Sequence, residues 1–127
     1  MVLAGPDPTD RIAYGGFPNS DDAKADLHAV KPPSGADVHI HLVAGGVPGY
    51  TNLPNRMWEG SIAGKSATGK PVINGFTVVE VVKGNVLVYV FNDSVDNVSK
   101  GNVRNVLILL KSGLGYLGKV EARLARH

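Results

Sequence analysis

The chain contains no cysteine among its 127 residues, which excludes disulfides, thiolate metal sites and cysteine nucleophiles. Aromatic residues make up only 6% of it, so Val, Leu, Ile and Ala must fill the core. An excess of charge is also missing, because 13 Lys and Arg stand against 11 Asp and Glu. The formal net charge of +2 gives no basis for a nucleic-acid or anionic membrane partner, and we expect neither.

Long apolar runs are missing as well. The run VLILL at 106–110 is far shorter than the roughly 20 residues that span a bilayer. The first residues, MVLAGPDPTDR, lack the cationic and apolar regions of a signal peptide. We therefore expect a soluble protein without a cleaved signal or a transmembrane segment.

What the sequence does contain is typical of a folded chain rich in strands and turns. Hydrophobic residues make up 43% of it, which is ample for a core and argues against global disorder. The 16 glycines and 8 prolines indicate many turns. The length suits one domain and leaves little room for two.

The clearest element is a β-hairpin over residues 72–91. Both of its runs are dense in β-branched and aromatic residues, and the sequence KGN between them tolerates a tight turn. The second run, VLVYVF, is apolar on both faces, which predicts a strand that is covered on both sides or lies at an oligomer contact. The candidate interface residues are Phe76, Val78, Leu87, Tyr89 and Phe91.

Other segments give weaker patterns. Alternation predicts strands over 11–14, 37–44 and 56–63, with Trp58 as a buried anchor. Residues 21–30 suit a helix of one or two turns, with Ser20 as its cap. Residues 103–111 and 116–126 fit either strands or helices, and we favour strands for both.

These elements predict an all-β fold, an antiparallel β-sandwich or a jelly-roll-like barrel. The sandwich domain would cover residues 36–127. Residues 1–35, with five prolines, would form an extended arm with at most a short helix.

A phosphate-binding loop is suggested by GKSATGK at 64–70, which matches G-x-x-x-x-G-K. However, Pro71 stands where Ser or Thr should bind magnesium, and no amphipathic helix is predicted to follow. We interpret the segment as a polar turn.

His39 and His41 form the only candidate metal pair. Their spacing places both imidazoles on one face of a strand, where they would need a third ligand such as Asp37, Glu59 or Glu80. The simpler interpretation is two histidines on a solvent or interface face.

No catalytic, cofactor or nucleic-acid motif is complete, so we expect a non-enzymatic protein without a cofactor. Small cysteine-free β proteins with extended arms resemble virion components, such as capsid decoration or tail proteins of phages. The hypothesis is a structural protein of a virion that binds copies of itself, and other subunits of a larger assembly, through β-sheet contacts. The alternative is a cytoplasmic metal-dependent β-barrel enzyme or ligand-binding module that uses His39 and His41.

Overall fold

The computed structural model describes residues 2–4, 10–29, 34–94 and 101–125, and the side chains of 11–29, 34–94 and 101–119. The strands are β1 (Val2–Ala4), β2 (Asp10–Gly16), β3 (Val38–Leu42), β4 (Asn55–Lys65), β5 (Pro71–Lys83) and β6 (Val86–Ser94), and the helices are α1 (Ser20–Ala29) and α2 (Val103–Ala125). The strands form one antiparallel sheet in the order β1-β2-β6-β5-β4-β3. The prediction of a mostly β protein is confirmed.

The predicted hairpin is the pair β5 and β6 at the centre of the sheet. Its register pairs Lys83 with Val86, which leaves Gly84 and Asn85 in the turn. Gly84 has a φ of 62°, a conformation that glycine adopts without steric cost. The hairpin therefore has the turn that its sequence predicted.

One face of the sheet is covered by α2. Side chains that alternate along β2, β5 and β6 form the main core on this side together with Val106, Leu109 and Leu110 of the helix. The sheet contributes Ile12, Val79, Val81, Val88 and Val90, each 0% exposed. We call this side the α2 face.

The prediction of strands over 103–111 and 116–126 is wrong, because the described residues of these segments form α2. The buried positions Val106, Leu109, Leu110 and Gly113 follow helical spacing and make one continuous stripe. Asn102 caps the helix, because its Oδ1 accepts the Asn105 backbone N–H at 3.0 Å. A short run such as VLILL is apolar enough for a covered strand or for a helix stripe, and here the cap and the longer spacing decide.

The other face of the sheet is covered at one end by α1. Ala23 and Leu27 of the helix pack against Val82 and Leu87, which alternate with the residues of the α2 face. The helix has ten residues, so it is longer than the one or two turns predicted.

The cap of α1 is Asn19 and not Ser20. The Asn19 Oδ1 accepts the Asp22 backbone N–H at 2.8 Å, and its Nδ2 donates to the Asp22 carboxylate at 3.3 Å. Asn19 thus satisfies one of the free amides of the first turn.

A second sheet is not found in the parts of the chain that the structure describes, so the sandwich or jelly-roll-like barrel is not confirmed. Of the described elements, α2 covers one face of the sheet, and α1 covers one end of the other face. Neither helix, within these described parts, is long and apolar enough to cross a membrane.

Ten residues of the predicted N-terminal arm lie outside the described ranges, among them its prolines at 6, 8, 32 and 33. Its described residues include β1, then β2, which pairs with β1 and β6, and α1. The extended arm and the division of the chain at residue 35 stay predictions.

The loop over residues 43–54 closes one end of the α2 face, and Asn55 organises it. The Asn55 Oδ1 accepts the Val47 N–H at 2.8 Å, while Nδ2 donates to the Tyr50 and Leu53 carbonyls at 2.7 and 2.8 Å. Val47 is only 1% exposed within the main core. One amide side chain therefore fixes the loop over the core.

Candidate functional site: a sheet face and a sheet edge

All five predicted interface residues lie on the sheet face opposite α2. The register pairs Val78 with Phe91 and Val82 with Leu87, and residues two positions apart share a face. Val78 and Leu87 are buried, each 8% exposed, whereas the aromatic residues are partly exposed. The set is Phe76, Val78, Leu87, Tyr89 and Phe91. The structure thus brings them together, but α1 covers the end at Leu87.

The same face continues across β4 to the edge of the sheet. Trp58 pairs with Val78 on one side and with Leu42 on the other. Trp58 is 8% exposed, and Leu42 at the edge is 50% exposed. We call this side the aromatic face, defined by Trp58, Phe76, Tyr89 and Phe91.

A buried ion pair lies within the aromatic face. Arg56 and Glu80 are directly opposite on β4 and β5, and both the Nε and the Nη2 atoms of Arg56 lie 2.7 Å from Glu80 Oε2. The two side chains are 10% and 7% exposed. The Arg56 guanidinium also lies 4.6 Å from the centre of the Trp58 ring. Each charge is therefore neutralised within the chain, as burial requires.

One residue in the sequence indicates that such a pair exists. Glu80 is an isolated charge in an apolar strand, and such a residue needs a partner once it is buried. Identifying Arg56 as that partner requires the β4–β5 register, which the sequence alone does not specify.

Tyr89 is the neighbour of this ion pair on β6. Its ring lies 5.8 Å from the Phe91 ring, at an interplanar angle of 53°. Burial raises the pKa of Tyr89, and the Glu80 carboxylate raises it further. Tyr89 is therefore a neutral hydroxyl at physiological pH, with both an apolar ring and a polar end on this face.

His39 and His41 lie on β3, at the edge of the sheet, and both are exposed. Both side chains lie on the same side of the sheet as the α2 face. His41 pairs with Glu59, and Glu59 pairs with Thr77. Thr77 is two residues before Val79 on β5 and therefore shares its face, which is the α2 face. The His41 Nε2 lies 3.8 Å from Glu59 Oε1. Within the described residues, no group of three or more His, Asp or Glu is close enough to hold a metal ion.

The outer edge of β3 faces away from the sheet. Val43 N donates to Met57 O, and Ala63 N donates to Asp37 O, so odd-numbered residues of this segment bond to β4. By the alternation of antiparallel ladders, the N–H and C=O groups of Ile40 and Leu42 point outward. In the described part of the sheet no further strand pairs with this edge, but Gly35 bridges Val38 on its outer side, where Val38 N donates to Gly35 O at 3.2 Å.

The segment that matches the phosphate-loop pattern is the turn between β4 and β5. Ser66 N donates to Lys70 O at 2.8 Å, and Gly69 N donates to Ser66 O at 2.9 Å. The turn leads into a strand and not into a helix, so it lacks the helix N-terminus that holds phosphate in such loops.

The outer side of α2 carries a shallow apolar groove of about 710 Å³. Ile108 on this side is 48% exposed. The residues along the groove are Val103, Arg104, Leu107, Ile108 and Lys111. This surface lies on the far side of the molecule from the aromatic face.

Compared with protein-family models, with curated proteins and with solved structures, the chain matches none of them. Its function is therefore inferred from its residues and their geometry.

Proposed function

We propose that the protein is a non-enzymatic assembly protein that binds copies of itself through the aromatic face. The observation that carries the proposal is the position of the partly exposed aromatic residues Phe76, Tyr89 and Phe91. All three lie on one face of the sheet, opposite the face that α2 covers. Aromatic side chains are enriched at protein interfaces, and Tyr is among the residues that most often anchor them.

The electrostatics of the face also favour contact with another protein surface. Covering a charge is costly unless it has a partner, and Arg56 and Glu80 already neutralise each other at 2.7 Å. A second layer on this face would therefore leave neither charge of that pair buried without a partner. Depletion of unpaired charge at the centre is typical of protein interfaces.

Two copies stacked through their aromatic faces would form a two-sheet arrangement. Sheets pack about 10 Å apart, and side chains from both inner faces fill the space. Such a contact is symmetric, because the same patch meets itself about a two-fold axis. The sandwich that the sequence predicted would then arise between chains.

The setting that we propose is a larger assembly, such as a virion in which the protein decorates a capsid or forms part of a tail. The support is architectural: a small β-rich chain with an apolar sheet face. In that setting the protein would contact other subunits as well as its own copies.

The test is sedimentation velocity over a range of protein concentrations, comparing the native chain with Phe91→Ser. Loss of one aromatic anchor should weaken self-association at least about tenfold. The matched control is Ile108→Ser, which alters an apolar side chain of similar or greater exposure on the outer side of α2. Far-UV circular dichroism of each variant shows that the fold is retained.

A native chain that stays monomeric at about 1 mM would refute the proposal, since it sets the affinity below that of weak specific complexes. So would association that Phe91→Ser and Ile108→Ser weaken equally.

The second candidate, a metal-dependent enzyme or ligand binder, is favoured by one observation, the contact of His41 with Glu59 at 3.8 Å. It predicts that a single chain binds a transition metal and that the bound metal acts on a substrate.

A further inference from the structure

The outer side of α2 carries apolar surface that the sheet does not cover. Ile108 is 48% exposed there, and Leu107 beside it is only partly buried. Together with three neighbours they line the shallow groove of about 710 Å³ described above. We call this surface the α2 groove, defined by Val103, Arg104, Leu107, Ile108 and Lys111.

The spacing of the groove residues suits contact with another helix. Four of them lie at positions i, i+3, i+4 and i+7 of α2, namely Arg104, Leu107, Ile108 and Lys111. Residues at this spacing form the hole that receives one side chain of a neighbouring helix when two helices pack. Leu107 and Ile108 are the apolar centre of the hole, and the two cations are its ends. The geometry therefore fits a large apolar residue on a partner helix.

Both ends of the α2 groove are positively charged. Arg104 and Lys111 are exposed and lie about 10.5 Å apart along the helix axis, and neither forms an ion pair with a described residue. None of the described side chains of α2, over 103–119, is acidic. Arg104 also lies in the first turn of the helix, where the helix dipole disfavours a cation. The groove therefore complements a surface with carboxylates on both sides of an apolar residue.

We propose that the α2 groove binds an acidic amphipathic helix of another protein. A large apolar residue of that helix fills the groove, and Asp or Glu three or four residues to either side pairs with Arg104 and Lys111. The proposal goes beyond self-association and does not rest on it, because the aromatic face lies on the far side of the molecule.

A membrane surface fits this side of α2 less well. A helix that lies in a bilayer interface buries a continuous apolar face. The continuous apolar stripe of α2 is turned to the sheet, with Val106 and Leu110 each 0% exposed. A groove is also filled by a protruding side chain and not by a planar surface. The partner that these observations favour is therefore a protein helix.

The test uses the full chain and a fluorescein-labelled synthetic peptide of about 20 residues, which is long enough to form a helix. The peptide carries leucine on one face with glutamate on both sides of it, and its control peptide has lysine in place of every glutamate. Fluorescence anisotropy should give a Kd below about 100 μM for the glutamate peptide and at least about tenfold weaker binding of the lysine peptide. Added salt should weaken binding of the glutamate peptide.

Variants of the groove should change this binding in different ways. Ile108→Ser should weaken binding of the glutamate peptide at least about tenfold, because the apolar contact is lost. Arg104→Glu combined with Lys111→Glu should reverse the preference, so that the lysine peptide binds at least about tenfold more tightly than the glutamate peptide. This gain of binding cannot result from unfolding, and far-UV circular dichroism checks the fold of each variant. The matched controls are Phe91→Ser and Lys24→Glu, an exposed cation on α1, and both should bind the glutamate peptide as the native chain does.

The proposal fails if the glutamate peptide does not bind at about 1 mM or if the two peptides bind equally. It also fails if Lys24→Glu weakens binding as much as the double variant Arg104→Glu with Lys111→Glu. A chain that binds phosphatidylglycerol vesicles through Ile108 and does not bind the glutamate peptide would show that the groove meets a membrane instead.

The outcome is separable from that of the aromatic face. Ile108→Ser should lose peptide binding and keep the sedimentation of the native chain, whereas Phe91→Ser should lose self-association and keep peptide binding. If peptide binding alone is missing, the α2 groove proposal fails and the aromatic-face contact stands. If self-association alone is missing, the proposed function fails and the α2 groove proposal stands.

Discussion

Gly101 is a residue whose lack of a side chain has a direct structural reason. A Cβ at this position would lie 2.6 Å from Asn92 O and 2.8 Å from Thr77 N, both backbone atoms of the central hairpin. The neighbouring amide of Asn102 donates to Asn92 Oδ1 at 2.6 Å, so the chain is held against the sheet here. Only glycine allows the entry to α2 to approach this closely.

Gly101→Ala should therefore destabilise the protein by about 1–3 kcal/mol, because backbone atoms must move to admit the methyl group. The control is Gly115→Ala inside α2, where no atom lies within 4 Å of the new Cβ apart from its chain neighbours and the helix's own backbone. There the same change should stabilise by about 0.5–1 kcal/mol through helix propensity. Urea unfolding of both variants measures these free energies, and shifts of the same sign would contradict the explanation.

Tyr89 should make the free energy of unfolding depend on pH at the alkaline end. Burial, and secondly the Glu80 carboxylate, raise its pKa above the ordinary 10.0. The unfolded chain loses this proton first, so the stability present below about pH 10 declines as pH rises through the folded-state pKa. Tyr89→Phe should make the decline shallower, though not remove it, since burial also raises the pKa of Tyr14.

The measurement is the midpoint of thermal unfolding from pH 7 to about pH 11 for both proteins. Their difference at pH 7, where tyrosine is neutral in both states, serves as the reference. An equally steep alkaline decline in Tyr89→Phe would show that Tyr89 does not contribute.

Among the elements, α2 is held at its first turn by the hydrogen bonds of Asn102. Asn102 accepts the Asn105 N–H through Oδ1, and its own N–H bonds to the buried Asn92. One residue thus caps the helix and ties it to β6. The helix in turn covers the α2 face of the sheet.

Asn102→Ala should cost about 0.5–2 kcal/mol, the usual range for loss of an N-cap, whereas Asn102→Asp keeps the acceptor and should lose much less. Urea unfolding with the two variants side by side gives the values. Equal losses in Ala and Asp would mean that the Oδ1 acceptor is not what stabilises α2.

The elements also show what the sequence could predict. Strands β3 to β6 follow from local alternation, and that same period placed Phe76, Tyr89 and Phe91 on one face. The helix α2 was not predicted, because VLILL is apolar at every position. Its helical period becomes visible only when the sequence up to Gly113 is included. The Arg56–Glu80 pair depends on register between strands, which local patterns do not encode.

For the whole molecule, the main feature that local sequence patterns do not predict is the order of the strands in the sheet. β6 pairs with β5, its neighbour in sequence, on one side and with β2 on the other. The second pairing joins Val90 to Ile12 across α1 and three intervening strands. This long-range pairing completes the core around Ile12, which is 0% exposed.

That order has a consequence for folding kinetics. The hairpins from β4 to β6 close short loops and should form early, whereas β2 must close a long loop and should dock late. In stopped-flow experiments, Ile12→Val should mainly accelerate unfolding, and Val79→Ala should mainly slow folding. The reverse pattern would place β2 in the folding nucleus.

Until β2 docks, β6 is an unpaired apolar edge, so refolding yield should fall as protein concentration rises.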